Sequence, residues 1–111
     1  MSEERRIRFM RLLVLFDLPV GTAAQKKRYA AFRKFLIKEG YLMLQNSVYS
    51  KLLLNEAAVA SALTRLQANR PSEGLVQALR VTERQFATMV CIAGKEVAHD
   101  EVDTMENFLV L

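Results

Sequence analysis

One residue of the sequence, Asp17, stands where a carboxylate could support metal or acid–base chemistry. It directly follows the apolar run from Arg11 to Phe16, and Pro19 comes two residues later. Such a run predicts a central β-strand covered on both faces. Pro19 ends that strand because proline cannot extend a ladder of backbone hydrogen bonds. The sequence therefore predicts Asp17 at the C-terminal end of the first strand.

A single carboxylate is a weak magnesium site, because Mg²⁺ bound through one or two carboxylates keeps several of its waters. In a symmetric dimer, two copies of Asp17 could face each other across the axis and share one ion. The structural alternative is that Asp17 caps the turn by accepting hydrogen bonds from the amides near Val20 or Gly21. The spacing alone is compatible with both roles.

Basic residues form the second group with chemical potential. The segment from Lys26 to Glu39 contains six lysine or arginine residues and one acid. Its sequence predicts an amphipathic helix that begins at the capping box Thr22-Ala23-Ala24-Gln25 and stops at Gly40. Helical spacing groups its apolar side chains on one face: Tyr29, Phe32, Phe35 and Leu36. The opposite face carries three lysines, Lys27, Lys34 and Lys38. Two further basic residues, Lys26 and Arg33, lie on the flank between these faces.

The distribution of charge favours a polyanionic partner. The net charge is +4, but residues 1–54 carry eleven basic residues against four acids, and residues 55–111 carry five against eight. The two parts are therefore +7 and −3. A basic region binds nucleic acid because each neutralised phosphate releases counterions. The ordinary alternative is a moderately basic protein that binds no polyanion.

Other catalytic and targeting patterns are weak in this sequence. It has no glycine-rich phosphate loop, and His99 lies in an acidic stretch where a solvated residue is expected. Cys91 is predicted to be a buried thiol in an apolar strand, and a lone cysteine suits a reducing, cytoplasmic compartment. The apolar run that ends at Leu18 is too short to cross a bilayer, so no membrane partner is expected.

The remaining pattern predicts the order β-α-β-β-α-β. After the basic helix come two short strands joined through Gln45-Asn46 and a helix capped by Asn55. A strand follows, then a turn of helix opened by the capping box Thr82-Glu83-Arg84-Gln85. The expected strands are Tyr41 to Leu44, Ser47 to Leu54, Leu75 to Thr82 and Thr88 to Ala93, and the second helix has Val59, Ala62, Leu63 and Leu66 on its apolar face.

This order predicts a ferredoxin-like α+β fold, one antiparallel sheet with two helices on one face. The domain is expected at residues 10–93, after a basic arm at 1–9 and before an acidic loop and extra C-terminal strand at 94–111. The uncovered sheet face, predicted to carry Tyr49, Leu53, Leu79 and Val81, would favour aggregation unless a second copy covered it. The apolar tail 108–111 could also add to a sheet edge. A homodimer is the expected result.

The motifs together resemble a known family. They are Phe16-Asp17-Leu18-Pro19 and the basic helix with Lys26-Lys27-Arg28-Tyr29, followed by Gly40-Tyr41, Gln45-x-Ser47-Val48-Tyr49-Ser50-Lys51-Leu52 and Arg80-Val81-Thr82-Glu83-x-Gln85-Phe86. This ordered set, over residues 8–93, resembles the CRISPR-associated Cas2 family, in the branch that accompanies type II systems. The resemblance implies a ferredoxin-like homodimer that bridges Cas1 integrase dimers and holds a DNA duplex during spacer acquisition.

The resemblance also implies a metal-dependent endonuclease acting on RNA or double-stranded DNA, with Asp17 as Mg²⁺ ligand and catalytic residue. A bridging role requires phosphate contacts that ignore base sequence. The candidate contacts are Arg8, Arg11, Lys26, Lys27, Arg33, Lys34 and Lys38. The acidic loop around Asp100 to Asp103 and the C-terminal strand are candidates for the integrase contact.

Three alternatives remain at this point. An RNA-binding module of the same fold would need exposed aromatic residues on its central strands, where Ser47 to Leu54 offers only Tyr49. A toxin-like endoribonuclease that works alone would need a base or second ligand near Asp17. A small-molecule regulatory domain would have no use for the basic helix.

Overall fold

The computed structural model of the chain describes residues 9–94. It contains four strands, two long helices and one helical turn: β1 (Met10–Asp17), α1 (Ala23–Lys38), β2 (Leu42–Gln45), β3 (Val48–Leu53), α2 (Glu56–Ala68), β4 (Leu75–Thr82) and α3 (Glu83–Phe86). The predicted basic arm with Arg8, the acidic loop with His99 and the C-terminal strand lie outside the described residues.

The four strands form one antiparallel sheet in the order β2-β3-β1-β4. β1 lies inside the sheet because its apolar residues are continuous, and the shorter β2 lies at one edge. Each helix connects two strands that have another strand between them, as the split βαβ pattern requires. The predicted ferredoxin-like α+β arrangement is confirmed.

The predicted helix boundaries follow from hydrogen bonds that the capping residues make. Thr22 and Gln25 satisfy each other's backbone amides in a complete capping box at the start of α1. Asn55 accepts a hydrogen bond from the amide of Ala58 at the start of α2. Gly40 follows α1 with φ +96°, a left-handed conformation that glycine adopts without the steric cost of a Cβ atom.

The core lies between one face of the sheet and the helices. On β1 the residues at alternate positions, Met10, Leu12, Val14 and Phe16, are all buried. The Phe16 ring meets that of Phe32 of α1 edge to face, with centroids 5.2 Å apart. Each such large apolar side chain contributes about 1.5–3 kcal/mol on full burial. This packing fixes β1 and therefore the position of Asp17 at its end.

The opposite face of the sheet differs from the prediction in two residues. Tyr49 pairs with Val14 and Leu53 pairs with Met10, so both side chains lie on the helix-covered face and are buried. Directly opposed residues of an antiparallel pair share a face of the sheet. The side chains of β3 that were predicted on the uncovered face therefore lie on the helix-covered face, because the register of a strand decides which face each residue occupies. Leu79 does lie on the uncovered face, opposite Leu13.

The predicted strand at Thr88 to Ala93 is wrong for the described chain. After α3 the segment continues without a ladder partner among residues 9–94. Cys91 is exposed, so its predicted burial is also wrong. The apolar composition suggested a strand, but composition does not decide whether a segment pairs with a sheet edge, and this one pairs with neither β2 nor β4. In this segment Met89, Val90 and Ile92 are 58%, 71% and 89% exposed.

Gly74 packs tightly against the end of β1. A Cβ atom at this position would lie 2.8 Å from the carbonyl oxygen of Asp17 and 2.7 Å from a methyl group of Leu18. Gly74 also has φ +94°. The close approach of this loop therefore depends on glycine, and it sets the backbone position of Asp17.

Replacing Gly74 with alanine is expected to lower the free energy of unfolding by about 2–4 kcal/mol, because backbone strain and overpacking act together. Gly40→Ala is the matched control, since Gly40 has nearly the same φ but a Cβ there would meet nothing closer than 3.6 Å. Chemical denaturation of both variants measures the difference. Equal destabilisation would contradict the close packing at Gly74.

Candidate nucleic-acid interface and carboxylate site

The basic surface of α1 consists of lysines that project away from the core. Lys27, Lys34 and Lys38 are exposed and recur at positions i, i+7 and i+11, so they form one stripe along the helix. On the core side of the same helix, Phe32 and Leu36 are buried. No lysine of α1 takes part in an ion pair within residues 9–94. The stripe therefore keeps its positive charge.

Most arginines of the domain, by contrast, have their charge offset by a glutamate. The ion pairs are Arg11–Glu83, Arg28–Glu73, Arg65–Glu39 and Arg80–Glu56. They join residues that are far apart in the chain, 72 positions in the case of Arg11 and Glu83, and the sequence alone did not reveal them. Among residues 9–94, the cations without a carboxylate partner are consequently concentrated on α1.

Arg11, one of the predicted contact residues, is held in a specific structural site. Its guanidinium donates two hydrogen bonds to Glu83, at 2.8 and 2.6 Å, and lies 4.4 Å from the centre of the Phe86 ring. Its side chain is only 15% exposed. These contacts fasten α3 to the start of β1, and they leave Arg11 little free charge for a phosphate.

Arg33, on the flank of the stripe, has a different kind of partner. Its Nε donates a hydrogen bond of 2.8 Å to the hydroxyl oxygen of Tyr49. Tyr49 is fully buried under α1. A phenol carries no charge, so the guanidinium is held in place without being neutralised. The strand pattern predicts an exposed Tyr49 and does not reveal this contact, because the face of a strand residue depends on register.

The C-terminal end of α1 is closed by a small charged cluster. The bidentate hydrogen bonds from Arg65 hold the pKa of Glu39 below its ordinary value, and Glu39 in turn raises the pKa of Arg65. Burial is the main cause that raises the pKa of Tyr41 to about 12, so its phenol stays neutral. Lys51 donates a hydrogen bond of 2.6 Å to the Glu39 carbonyl oxygen. Arg65 and Lys51 therefore stabilise the C-terminal end of α1.

Asp17 occupies the predicted position, as the last residue of β1. It follows Leu13 and Leu15 on the uncovered face of the sheet and pairs with Leu75 of β4. Its carboxylate accepts no hydrogen bond from another residue between 9 and 94, and the Gly21 amide donates to Gln25 instead, at 2.8 Å. The turn-capping alternative is thus not what the structure contains.

A metal ion at Asp17 would need ligands beyond those that residues 9–94 of one chain bring together. Among residues 9–94, no three side chains of histidine, cysteine, aspartate or glutamate come together. A single exposed carboxylate fits Mg²⁺ as one oxygen ligand among waters, and a second Asp17 from a facing copy would fit as another. The position of Asp17 on the uncovered face allows such an approach.

Comparison with known proteins places these features in context. The family model described as "CRISPR associated protein Cas2" matches residues 10–89. A "CRISPR-associated endoribonuclease Cas2" of Treponema denticola is 47% identical over 92% of this chain and all of its own length. The protein of the same name in Streptococcus mutans serotype c (strain ATCC 700610 / UA159) is 49% identical over 78% of this chain and 79% of its own length.

The fold also matches a solved structure. The structure titled "Crystal structure of cas2" superposes with a TM-score of 0.56 over 79% of this chain and 90% of that chain, at 22% sequence identity. At that identity the likeness concerns the fold. No helix among residues 9–94 has the length and apolar character needed to span a bilayer.

Proposed function

This chain belongs to the CRISPR-associated Cas2 family, and from that membership we propose that it acts in spacer acquisition. In this proposal a homodimer bridges Cas1 integrase dimers and holds the incoming DNA duplex across its basic helices. The observation that carries the proposal is the lysine stripe of α1. Its members, Lys27, Lys34 and Lys38, are exposed and have no carboxylate partner within the described residues.

The chemistry of this stripe suits a duplex of any sequence. Lysine ammonium groups on flexible stems attract phosphates without reading base edges, and phosphate contacts position a protein but do not specify a sequence. An adaptation protein must accept whatever DNA an invader supplies. Lys26 and Arg33 extend the same surface along its flank, and we include them in the footprint.

The uncovered face of the sheet supports a homodimer. Leu15, Leu52, Leu75 and Leu79 are 38%, 45%, 56% and 54% exposed there, and several large apolar side chains exposed on one face favour covering by another protein surface. The exposed apolar residues Met89, Val90 and Ile92 have no strand partner in the described part of the chain, and a sheet edge of the second copy would give them one. The two Asp17 carboxylates would then lie at the same interface.

Base stacking of RNA on the sheet has no support from the described residues. Tyr49, the aromatic residue of β3, is buried under α1. The exposed residues of the uncovered face are aliphatic or polar, whereas RNA-binding modules of this fold stack bases on exposed aromatic side chains. The surface favours phosphate contacts over base contacts.

The bridging role is tested by measuring whether this chain, the integrase and a DNA duplex form one complex. Purified chain, Cas1 integrase and a duplex are mixed and analysed by sedimentation, with duplexes of two unrelated sequences. We expect one complex that contains a dimer of this chain and two integrase dimers, with equal yield for both duplexes. Failure of the chain to join the integrase, or a strong preference for one duplex, would overturn the proposal.

A second candidate function is metal-dependent endonuclease activity, and the relatives carry the name endoribonuclease. Asp17 favours it, as an exposed carboxylate at a strand end whose hydrogen-bonding capacity is free within the described residues. Asp17 would hold Mg²⁺, which when bound supplies Lewis-acid stabilisation of a phosphoryl oxygen and activates water. The remaining requirement is a facing copy that contributes its own Asp17.

Asp17→Asn should lower the rate of Mg²⁺-dependent cleavage of RNA or duplex DNA by on the order of a hundredfold or more, because the amide is a poorer metal ligand. Duplex binding in the absence of Mg²⁺ should be unchanged. Cleavage of labelled RNA and DNA with and without EDTA measures the first effect, and a gel-shift titration measures the second. Cleavage that persists in the variant would remove Asp17 from the chemistry.

A further inference from the structure

We propose that Tyr49 is a positioning residue that presents the Arg33 guanidinium, still charged, to a backbone phosphate of the bound duplex. This inference deepens the proposed function, since it rests on α1 being the duplex-binding surface. The carrying observation is the hydrogen bond from Arg33 Nε to the Tyr49 hydroxyl oxygen, 2.8 Å long.

The phenol is a rigid anchor. Tyr49 is completely buried, its ring centroid lies 5.7 Å from that of Phe16, and β1 and β2 flank its strand on both sides. The hydroxyl position is therefore set by the core. A buried phenol also needs a hydrogen-bond partner, so the contact is stabilising for both residues.

The hydrogen bond to Tyr49 leaves the terminal nitrogens of the guanidinium available. Nε carries one of the five N–H donors, and the four others are on the terminal nitrogens. A planar guanidinium held at Nε has its terminal nitrogens restricted to a narrow set of directions. Phosphates are recognised by paired parallel donors of this kind, and an anchored side chain loses less conformational freedom when it binds.

The choice of partner separates Arg33 from the four arginines that form ion pairs. Arg11, Arg28, Arg65 and Arg80 are each held by a glutamate, which fixes the side chain but cancels its charge. A neutral phenol fixes the side chain and keeps the charge. Arg33 also lies seven residues after Lys26 on the flank of the lysine stripe, so its terminal nitrogens adjoin the proposed phosphate path.

The test compares duplex binding by four proteins: wild type, Tyr49→Phe, Arg33→Ala and the double variant. Tyr49→Phe should weaken binding about threefold to tenfold while the salt dependence stays the same, because the charge remains but its orientation is lost. Arg33→Ala should weaken binding at least as much and lower the salt slope by about one unit. Adding Tyr49→Phe to Arg33→Ala should have no further effect on binding.

Two measurements separate positioning from a purely structural role. Arg33→Lys keeps the charge but loses the planar fork, and it should reproduce the Tyr49→Phe affinity. The NMR signal of the Arg33 Nε proton should be protected from exchange in wild type and unprotected in Tyr49→Phe, at matched thermal stability. Wild-type affinity in Tyr49→Phe or in Arg33→Lys would overturn the positioning role.

The outcomes also distinguish this inference from the proposed function. If wild type binds duplex with strong salt dependence but Arg33→Ala binds equally well, Arg33 lies outside the footprint and only this inference fails. If wild type shows no salt-dependent duplex binding, the proposed function fails as well. Additive effects of Tyr49→Phe and Arg33→Ala would show that the two residues act independently, which contradicts the inference.

Discussion

Replacing Lys27, Lys34 and Lys38 together with glutamine is expected to weaken duplex binding by on the order of a hundredfold or more at low salt. Each phosphate contact contributes about 0.9 to the slope of log affinity against log salt concentration. Loss of three contacts should lower that slope by up to about three units per chain. Between about 50 and 200 mM salt, wild type should lose about 40-fold more affinity than the variant.

The physical reason is that these lysines release counterions when they meet phosphates, whereas paired cations release few. The matched control is the triple variant Arg65→Gln, Arg70→Gln and Arg80→Gln, which removes the same charge elsewhere. Arg65 and Arg80 are already paired with Glu39 and Glu56, so this control should change the slope little. Equal slopes for wild type and the lysine variant would remove α1 from the footprint.

Leu79→Lys is expected to dissociate the proposed homodimer. Leu79 is 54% exposed on the uncovered face, opposite Leu13 of β1. In a dimer that buries this face, each copy would bring an unpaired ammonium into an apolar interface, at about 3 kcal/mol or more per charge. The dimer dissociation constant should therefore rise by on the order of a hundredfold or more.

Sedimentation equilibrium of wild type and variant measures this change, and Leu63→Lys at the exposed margin of the apolar face of α2 is the matched control. Leu63 is an exposed leucine that lies on a helix instead of the uncovered sheet face. It should leave the association state unchanged. A Leu79→Lys protein that stays dimeric while Leu63→Lys dissociates would place the interface on α2 and contradict the proposal.

The features that the sequence predicted well are those encoded by neighbouring residues. Thr22 and Gln25 are three positions apart, and their capping box marks the helix start in sequence as it does in structure. Asp17 was placed correctly because an apolar run followed by proline defines both the strand and its end. The lysine stripe follows from helical periodicity alone.

The features that could not be predicted depend on contacts between distant segments. The face on which Tyr49 lies changes if the register of β3 shifts by one residue, and the sequence of one strand does not fix that register. Arg11 was predicted as a phosphate contact, but its partner Glu83 lies across the β1–β4 ladder. The segment Thr88 to Ala93 has the composition of a strand, yet it pairs with no strand among residues 9–94.

The most direct test of the account is to map the duplex onto the surface of the protein by NMR. Isotope-labelled protein is titrated with duplexes of two unrelated sequences, and the shifts of lysine ammonium and backbone signals are followed. Both duplexes are expected to perturb the same residues, centred on Lys27, Lys34 and Lys38 of α1. Perturbations centred on α2, or different sets for the two sequences, would contradict this expectation.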